Sequence, residues 1–157
     1  MKTSIASGLV LLVLSGASVA ADLVPFEQVR AKYQDFHDPT RLSYLFNRCA
    51  ALQLNVSALL QRRGQKQGAK DFENLAQHYM VLSEANEREI DKKRGVKSKD
   101  VVQTVNRNVA KVAELYSERM RLNFLKRHEY IVGDAQLESE LSECNLPEAF
   151  KKKALGE

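Results

Sequence analysis

From Leu42 onward the apolar residues fall at alternating steps of three and four: Leu42, Leu45, Cys49, Leu52, Val56 and Leu59. This is the a/d seam of a helix that packs on other helices, and Phe46 and Leu60 widen it. Its ends are marked by chemistry. Asp38 is a natural N-cap and Pro39 suits the first helical position. Arg62 and Arg63 complement the negative end of the dipole, and Gly64 is the expected residue just beyond.

The same reading extends along the chain. A short helix is predicted at 25–36, opened by Pro25, with Phe26, Val29 and Tyr33 on one face. A third helix is predicted over 69–94, with Phe72, Leu75, Tyr79, Leu82, Asn86 and Ile90 as its inner stripe and Ala76 beside them. The stripe weakens after Leu82, so that end is expected to pack loosely or protrude. A fourth helix is predicted from an N-cap at Ser98, with a seam of Val102, Val105, Val109, Val112 and Tyr116 joined by Val101 and Leu115. Nothing breaks it before Gly133, which implies a helix to Val132 of about 33 residues and about 50 Å. A short fifth helix at 134–144 carries Leu137 and Leu141, and Pro147 opens a last turn before a "KKK" tail. No stretch alternates apolar and polar residues long enough to compete as a strand.

The fold class is therefore all-α. Short loops between long helices make an antiparallel bundle the default arrangement: three long helices plus short N- and C-terminal ones.

The first twenty residues stand apart. Lys2, an apolar run from Ile5 to Leu14 and the small residues Ser18 and Ala20 read as a signal peptide cleaved after Ala20. Ser18 stands where a lipoprotein would carry its cysteine, and the run is too short and too rich in small residues for a retained transmembrane anchor, which needs about 20 apolar residues. Residues 1–20 are thus read as a leader and residues 21–157 as a single helical domain with no transmembrane span. The expected location is periplasmic or secreted, in a bacterial or phage-encoded setting.

Export changes the reading of the two cysteines. Cys49 and Cys144 are most simply a disulfide, in preference to free thiols or an intermolecular pair. A straight up-down bundle conflicts with that bridge. Cys49 lies about 15 Å up its helix, whereas a fifth helix starting near 50 Å puts Cys144 near 35 Å, and bridged Cα atoms must lie within about 7 Å. Either the fourth helix breaks or the tail crosses the bundle. With no proline to kink the helix, the expectation is a C-terminal segment that crosses the bundle and is pinned by Cys49–Cys144.

Charge adds little. The net charge of +4 becomes +3 without Lys2, with acidic and basic residues interleaved, which does not point to nucleic acid. Catalytic, metal and cofactor motifs are not found: none of the three histidines has a glutamate three residues before it, as a di-iron bundle requires, and there is no Gly-x-Ser-x-Gly turn. "DFHD" around His37 reads as a capping segment with an exposed histidine. Glu114 and Glu118 read as surface carboxylates that pair with Arg119 and Arg121. "NVS" at Asn55 sits inside a core helix and is set aside as a glycosylation site.

The remaining candidates are basic. Lys92, Lys93 and Arg94 end the third helix, where they complement its dipole or meet an anionic envelope component. Arg121, Phe124 and Arg127 lie where apolar residues spread right round the fourth helix, which suggests contact with the tail on one side and a protein partner on the other. The functional expectation is a non-enzymatic binding or accessory protein of the cell envelope, of inhibitor, immunity or chaperone type. The alternatives are a small metal-dependent hydrolase using His37 or His78 with nearby carboxylates, and a structural or oligomerising envelope protein. Neither the partner nor the oligomeric state is legible.

Overall fold

A computed structural model describes residues 23–32, 37–96 and 100–145. The leader, Ser98, Pro147 and the lysine tail lie outside the described residues. Five helices follow in order: α1 (Phe26–Lys32), α2 (Pro39–Arg62), α3 (Lys66–Lys93), α4 (Val101–Arg127) and α5 (Ala135–Glu143). There is no strand among the described residues. The all-α reading holds: three long helices pack together and Cys49 is bridged to Cys144, with Cα atoms 5.3 Å apart.

Most helix ends follow the local chemistry. The Asp38 carboxylate accepts the N–H groups of Thr40 and Arg41, at 2.7 and 3.2 Å. The Arg41 bond, opposed by a desolvation cost and aided by the Thr40 bond, lowers its pKa. Gly64, Gly95 and Gly133 all adopt positive φ, the left-handed region that suits glycine.

Three boundaries differ from expectation. α4 starts at Val101 with Asp100 in the N-cap position, two residues after the expected Ser98, and no described side chain caps that end. α3 begins at Lys66 rather than Ala69, because Gly68 lies inside the helix. A Cβ there would meet Leu60 at 3.4 Å, so this glycine serves close packing between α2 and α3 rather than a helix break. α4 ends at Arg127 rather than Val132. His128 turns left-handed at φ 59° while its N–H still reaches the Phe124 carbonyl. No glycine or proline announces that stop.

α2 and α3 meet along a line of small side chains. Ser43, Ala50 and Ser57 recur every seven residues on α2, and Ala69, Ala76 and Ser83 do so on α3; all six are buried. The contacts run in opposite order along the two helices. Ser43 and Asn47 bond Ser83, Ser43 also bonds Glu87 at 2.5 Å, and the Ser57 hydroxyl donates to the Ala69 carbonyl at 2.7 Å. That register sets Ala50 opposite Ala76. Small side chains here let the helix axes approach closely. The far end of α3 is therefore not loose: Glu87 is tied to α2, and Ile90 is buried.

Residues of the expected seams move accordingly. The inner line of α4 starts at Val101 and continues through Val105, Val109, Tyr116 and Met120, all buried, whereas Val102 is 48% exposed. On α2 the burial extends well beyond the apolar seam, to Arg41, Asn47, Arg48 and Gln53. Asn55 is also engaged: its amide donates to the carbonyls of Ala51 and Ala113, tying α2 to α4.

The C-terminal segment crosses from α4 to the α2–α3 pair. It starts against α4, where Asp134 takes a two-pronged bond from Arg119 at 2.8 and 2.9 Å and the Asn123 amide donates to the Val132 carbonyl. It finishes against α2 and α3, where Gln53 and Tyr79 both donate to the Cys144 carbonyl. The early end of α4 and the crossing of α5 together bring Cys144 to the level of Cys49.

Candidate functional site

The most unusual chemistry is buried beside the disulfide. Arg48, one residue before Cys49, is fully inaccessible. Its Nη2 lies 2.5 Å from Glu140 Oε1 on α5, and its Nε is 3.3 Å from the Tyr116 hydroxyl on α4. Tyr116 in turn donates to Glu140 Oε2. The remaining prong of Arg48 donates to the Val24 carbonyl, and the Phe26 ring lies 4.5 Å from the guanidinium carbon. Gln136 completes the network, its amide reaching both Glu140 and the Leu23 carbonyl at 2.8 Å.

A charge here is tolerable because each guanidinium nitrogen has a partner and one of them is a carboxylate. Burial works against the Arg48 charge, but Tyr116 and Glu140 outweigh it and hold the pKa above its usual value. Burial also pushes the Tyr116 phenol well above its ordinary value, an effect the nearby Arg48 only partly offsets. The three groups are spent on one another and on the N-terminal segment. The arrangement joins Leu23–Phe26, α2, α4 and α5, and Arg48, Tyr116 and Glu140 are not among the described residues that line the two cavities beside α5.

Sequence reading missed this network, although a signal was present. Glu140 shares a face of α5 with Leu137, Leu141 and Cys144, at helical spacings of three and four. Arg48 stands likewise in line with Leu45 and Leu52. Polar residues in such positions escape an apolar periodicity, which counts only apolar ones.

The basic candidates occupy different settings. Arg121 is exposed and grips Glu118 with two bonds of 2.7 Å, which lowers the Glu118 pKa. Phe124 stacks on Tyr130 with ring centroids 4.5 Å apart and meets His128 edge-on at 6.0 Å. Arg127 lies over Gly133, so close that a Cβ there would approach its side chain to 3.0 Å. The apolar residues around the end of α4 thus have an internal use, since the 128–134 connection folds back on them. Leu125 remains 62% exposed. Lys92 stands 4.0 Å from Glu89, and with Lys93 and Arg94 it forms an exposed helix end. The structure does not bring that end and the α4 residues into contact.

Two cavities flank α5. The larger, about 810 Å³, lies between α3 and the 131–145 segment, within the range of ligand-binding clefts. Phe72, Leu75, Ile131, Val132 and Leu141 give it apolar walls, and His78 lies among them. Asp71 and Glu138 supply its only formal charges among the described lining residues, and both are negative. Gln53, wholly buried, is part of its lining; its amide donates to Cys144, while its Oε1 has no hydrogen-bond partner. The second cavity, about 630 Å³, lies on the α4 side of α5 and includes Leu115, Leu122, Lys126 and Arg127.

No three or more His, Cys, Asp or Glu side chains are grouped to hold a metal ion among the described residues. Likewise no described helix is long and apolar enough to cross a membrane. Asp35 of the "DFHD" segment lies outside the described residues. No protein-family model, curated protein or solved structure matches the chain.

Proposed function

We propose that this chain is an exported, non-enzymatic binding protein of the bacterial cell envelope, and that it binds through the groove between α3 and α5. The observation that carries this reading is the groove's composition: apolar walls, two carboxylates and no basic charge among the described residues that line it. Such a surface suits an apolar segment flanked by lysine or arginine, held by burial and by charge complementarity at the rim. The disulfide agrees with an oxidising compartment, as the leader-like N-terminus implies. The groove is built on an element pinned at both ends, by Arg119–Asp134 and by Cys49–Cys144, which favours preorganised binding.

The test uses fluorescently labelled peptides with an aromatic residue followed by three lysines, titrated against the mature protein by anisotropy. Saturable binding that is lost in Leu75→Glu and weakened in Glu138→Gln is expected. Equal binding by wild type and Leu75→Glu overturns the reading.

A second reading rests on Lys126 and Arg127, which line the smaller cavity without an ion pair to any described carboxylate. That face, with Arg121 beside it, suits an anionic envelope partner. Arg121→Glu with Arg127→Glu then abolishes retention on anionic vesicles while leaving the melting temperature unchanged; retention equal to wild type removes this reading.

A further inference from the structure

The chain itself carries a segment whose chemistry matches the larger groove. The described residues stop at Asn145, which itself lines the groove, and twelve residues follow: Leu146 to Glu157. Their order is apolar and then basic. Leu146, Pro147, Ala149 and Phe150 precede Lys151, Lys152 and Lys153. This is the pattern that the groove's apolar walls and its Asp71 and Glu138 carboxylates would select.

Geometry favours the match. The Cys144 carbonyl is held by Gln53 and Tyr79, at 3.1 and 2.6 Å, and its sulfur by Cys49. The chain is thus anchored at the wall of the cavity where the segment starts. Phe150 lies five positions beyond Asn145, a reach of at most about 17 Å, and Pro147 biases Leu146 toward extended backbone. That reach is enough to carry a bulky ring from Asn145, itself in the lining, to any part of a groove of about 810 Å³. Gln53 adds an independent sign. A wholly buried amide oxygen without a partner is uncommon, and here it belongs to a residue of the groove lining, at the point where the chain leaves Cys144.

We infer that residues 146–157 dock into the groove between α3 and α5, with Phe150 among Leu75, Ile131 and Leu141 and the lysines beside Asp71 and Glu138, as an internal competitor for the site. This rests on the reading of the groove as a binding surface, and it makes that surface self-regulated. A short tether supplies a local concentration on the order of millimolar, so a segment with an intrinsic affinity of only about 0.1 mM weakens a competing ligand roughly tenfold.

The test uses the full mature chain. With methyl-labelled protein, Phe150 ring protons show nuclear Overhauser contacts to Leu75, Ile131 and Leu141 methyls, and Phe150→Ala shifts those methyls without lowering the melting temperature. An apolar fluorescent dye binds Phe150→Ala about tenfold more tightly than wild type; a synthetic 146–157 peptide reverses the gain. A second variant, Lys151→Glu with Lys152→Glu and Lys153→Glu, moves dye affinity in the same direction. Identical dye binding by all three proteins, with no contacts from Phe150, overturns the inference. Contacts seen only between differently labelled copies also overturn it, since the occupant is then a second molecule. Peptide binding that Leu75→Glu abolishes, together with dye binding unmoved by Phe150→Ala, retains the groove as a binding surface and removes only the internal occupant.

Discussion

The two contact regions of α2 are built on opposite principles. Toward α3, α2 presents Ser43, Ala50 and Ser57, and the helices close up because little side chain stands between them. Toward α4 and α5 it presents Arg48 and Cys49, and contact is made by a long charged side chain and a covalent bond. The first region joins neighbours across a short turn at Gly64. The second joins residues 68 to 95 positions apart, where loop closure costs more entropy. Close packing of small residues is cheap to specify and hard to overfill. A buried charge is costly, and tolerable only when every partner arrives together.

The sharpest way to break the second region is Arg48→Met. It leaves Glu140 buried without its counter-charge, which costs about 3–5 kcal/mol. The melting temperature should fall by more than about 10 °C in calorimetry. Adding Glu140→Leu and Tyr116→Phe should recover much of the loss, because a well-packed apolar replacement removes the desolvation cost along with the pair. A triple variant no more stable than Arg48→Met would mean that this site resists apolar packing.

Removing the staple comes next. Cys49→Ala with Cys144→Ala frees a closed loop of 95 residues and should cost about 2–5 kcal/mol. The loss should be regional. Amide exchange should quicken across Leu137–Cys144 while Ala50 and Ala76 keep their protection. Equal loss of protection in both regions would show that they form one cooperative unit.

Tyr116→Phe separates charge from packing. It leaves Arg48 and Glu140 each one hydrogen bond short, a loss of about 1.5–3 kcal/mol at neutral pH. It should also flatten part of the alkaline slope. Burial holds the Tyr116 pKa above the value of about 10 expected in the unfolded chain. The folded form therefore retains its proton longer, and the stabilisation is complete below about pH 10 and lost as pH rises beyond it. Urea midpoints measured on both sides of that value should fall less steeply in the phenylalanine variant.

The smallest change tests the first region. Ala76→Leu overfills the line facing Ala50 and should cost about 1–3 kcal/mol, measured as a shift in urea midpoint. Because α2 and α3 are neighbours in sequence, the penalty should leave the Arg119–Asp134 contact and the disulfide in place.

Several of these features could be read from the chain. Asp38, Gly64 and Gly95 marked helix ends correctly because caps and left-handed turns are decided by a few local atoms. The small-residue line was legible in principle, as a seven-residue recurrence of serine and alanine, but an apolar count ranks alanine and serine below leucine. The end of α4 was not legible. His128 has no intrinsic preference strong enough to stop a helix, and the connection after it is held by the Phe124–Tyr130 stack and the Asn123–Val132 bond.

By itself, then, the sequence determined five amphipathic helices, where most of them begin or end, and which two sulfurs would meet. Those are matters of local hydrogen bonding, of apolar spacing, and of a count of two cysteines. Only the tertiary structure decided that Arg48 and Glu140 belong inside, that Val101 rather than Val102 faces the core, and that a groove opens beside Cys144. Burying the Arg48 charge depends on partners from three other segments, and a cavity depends on what its neighbours fail to fill. Neither quantity is written in any one stretch of chain.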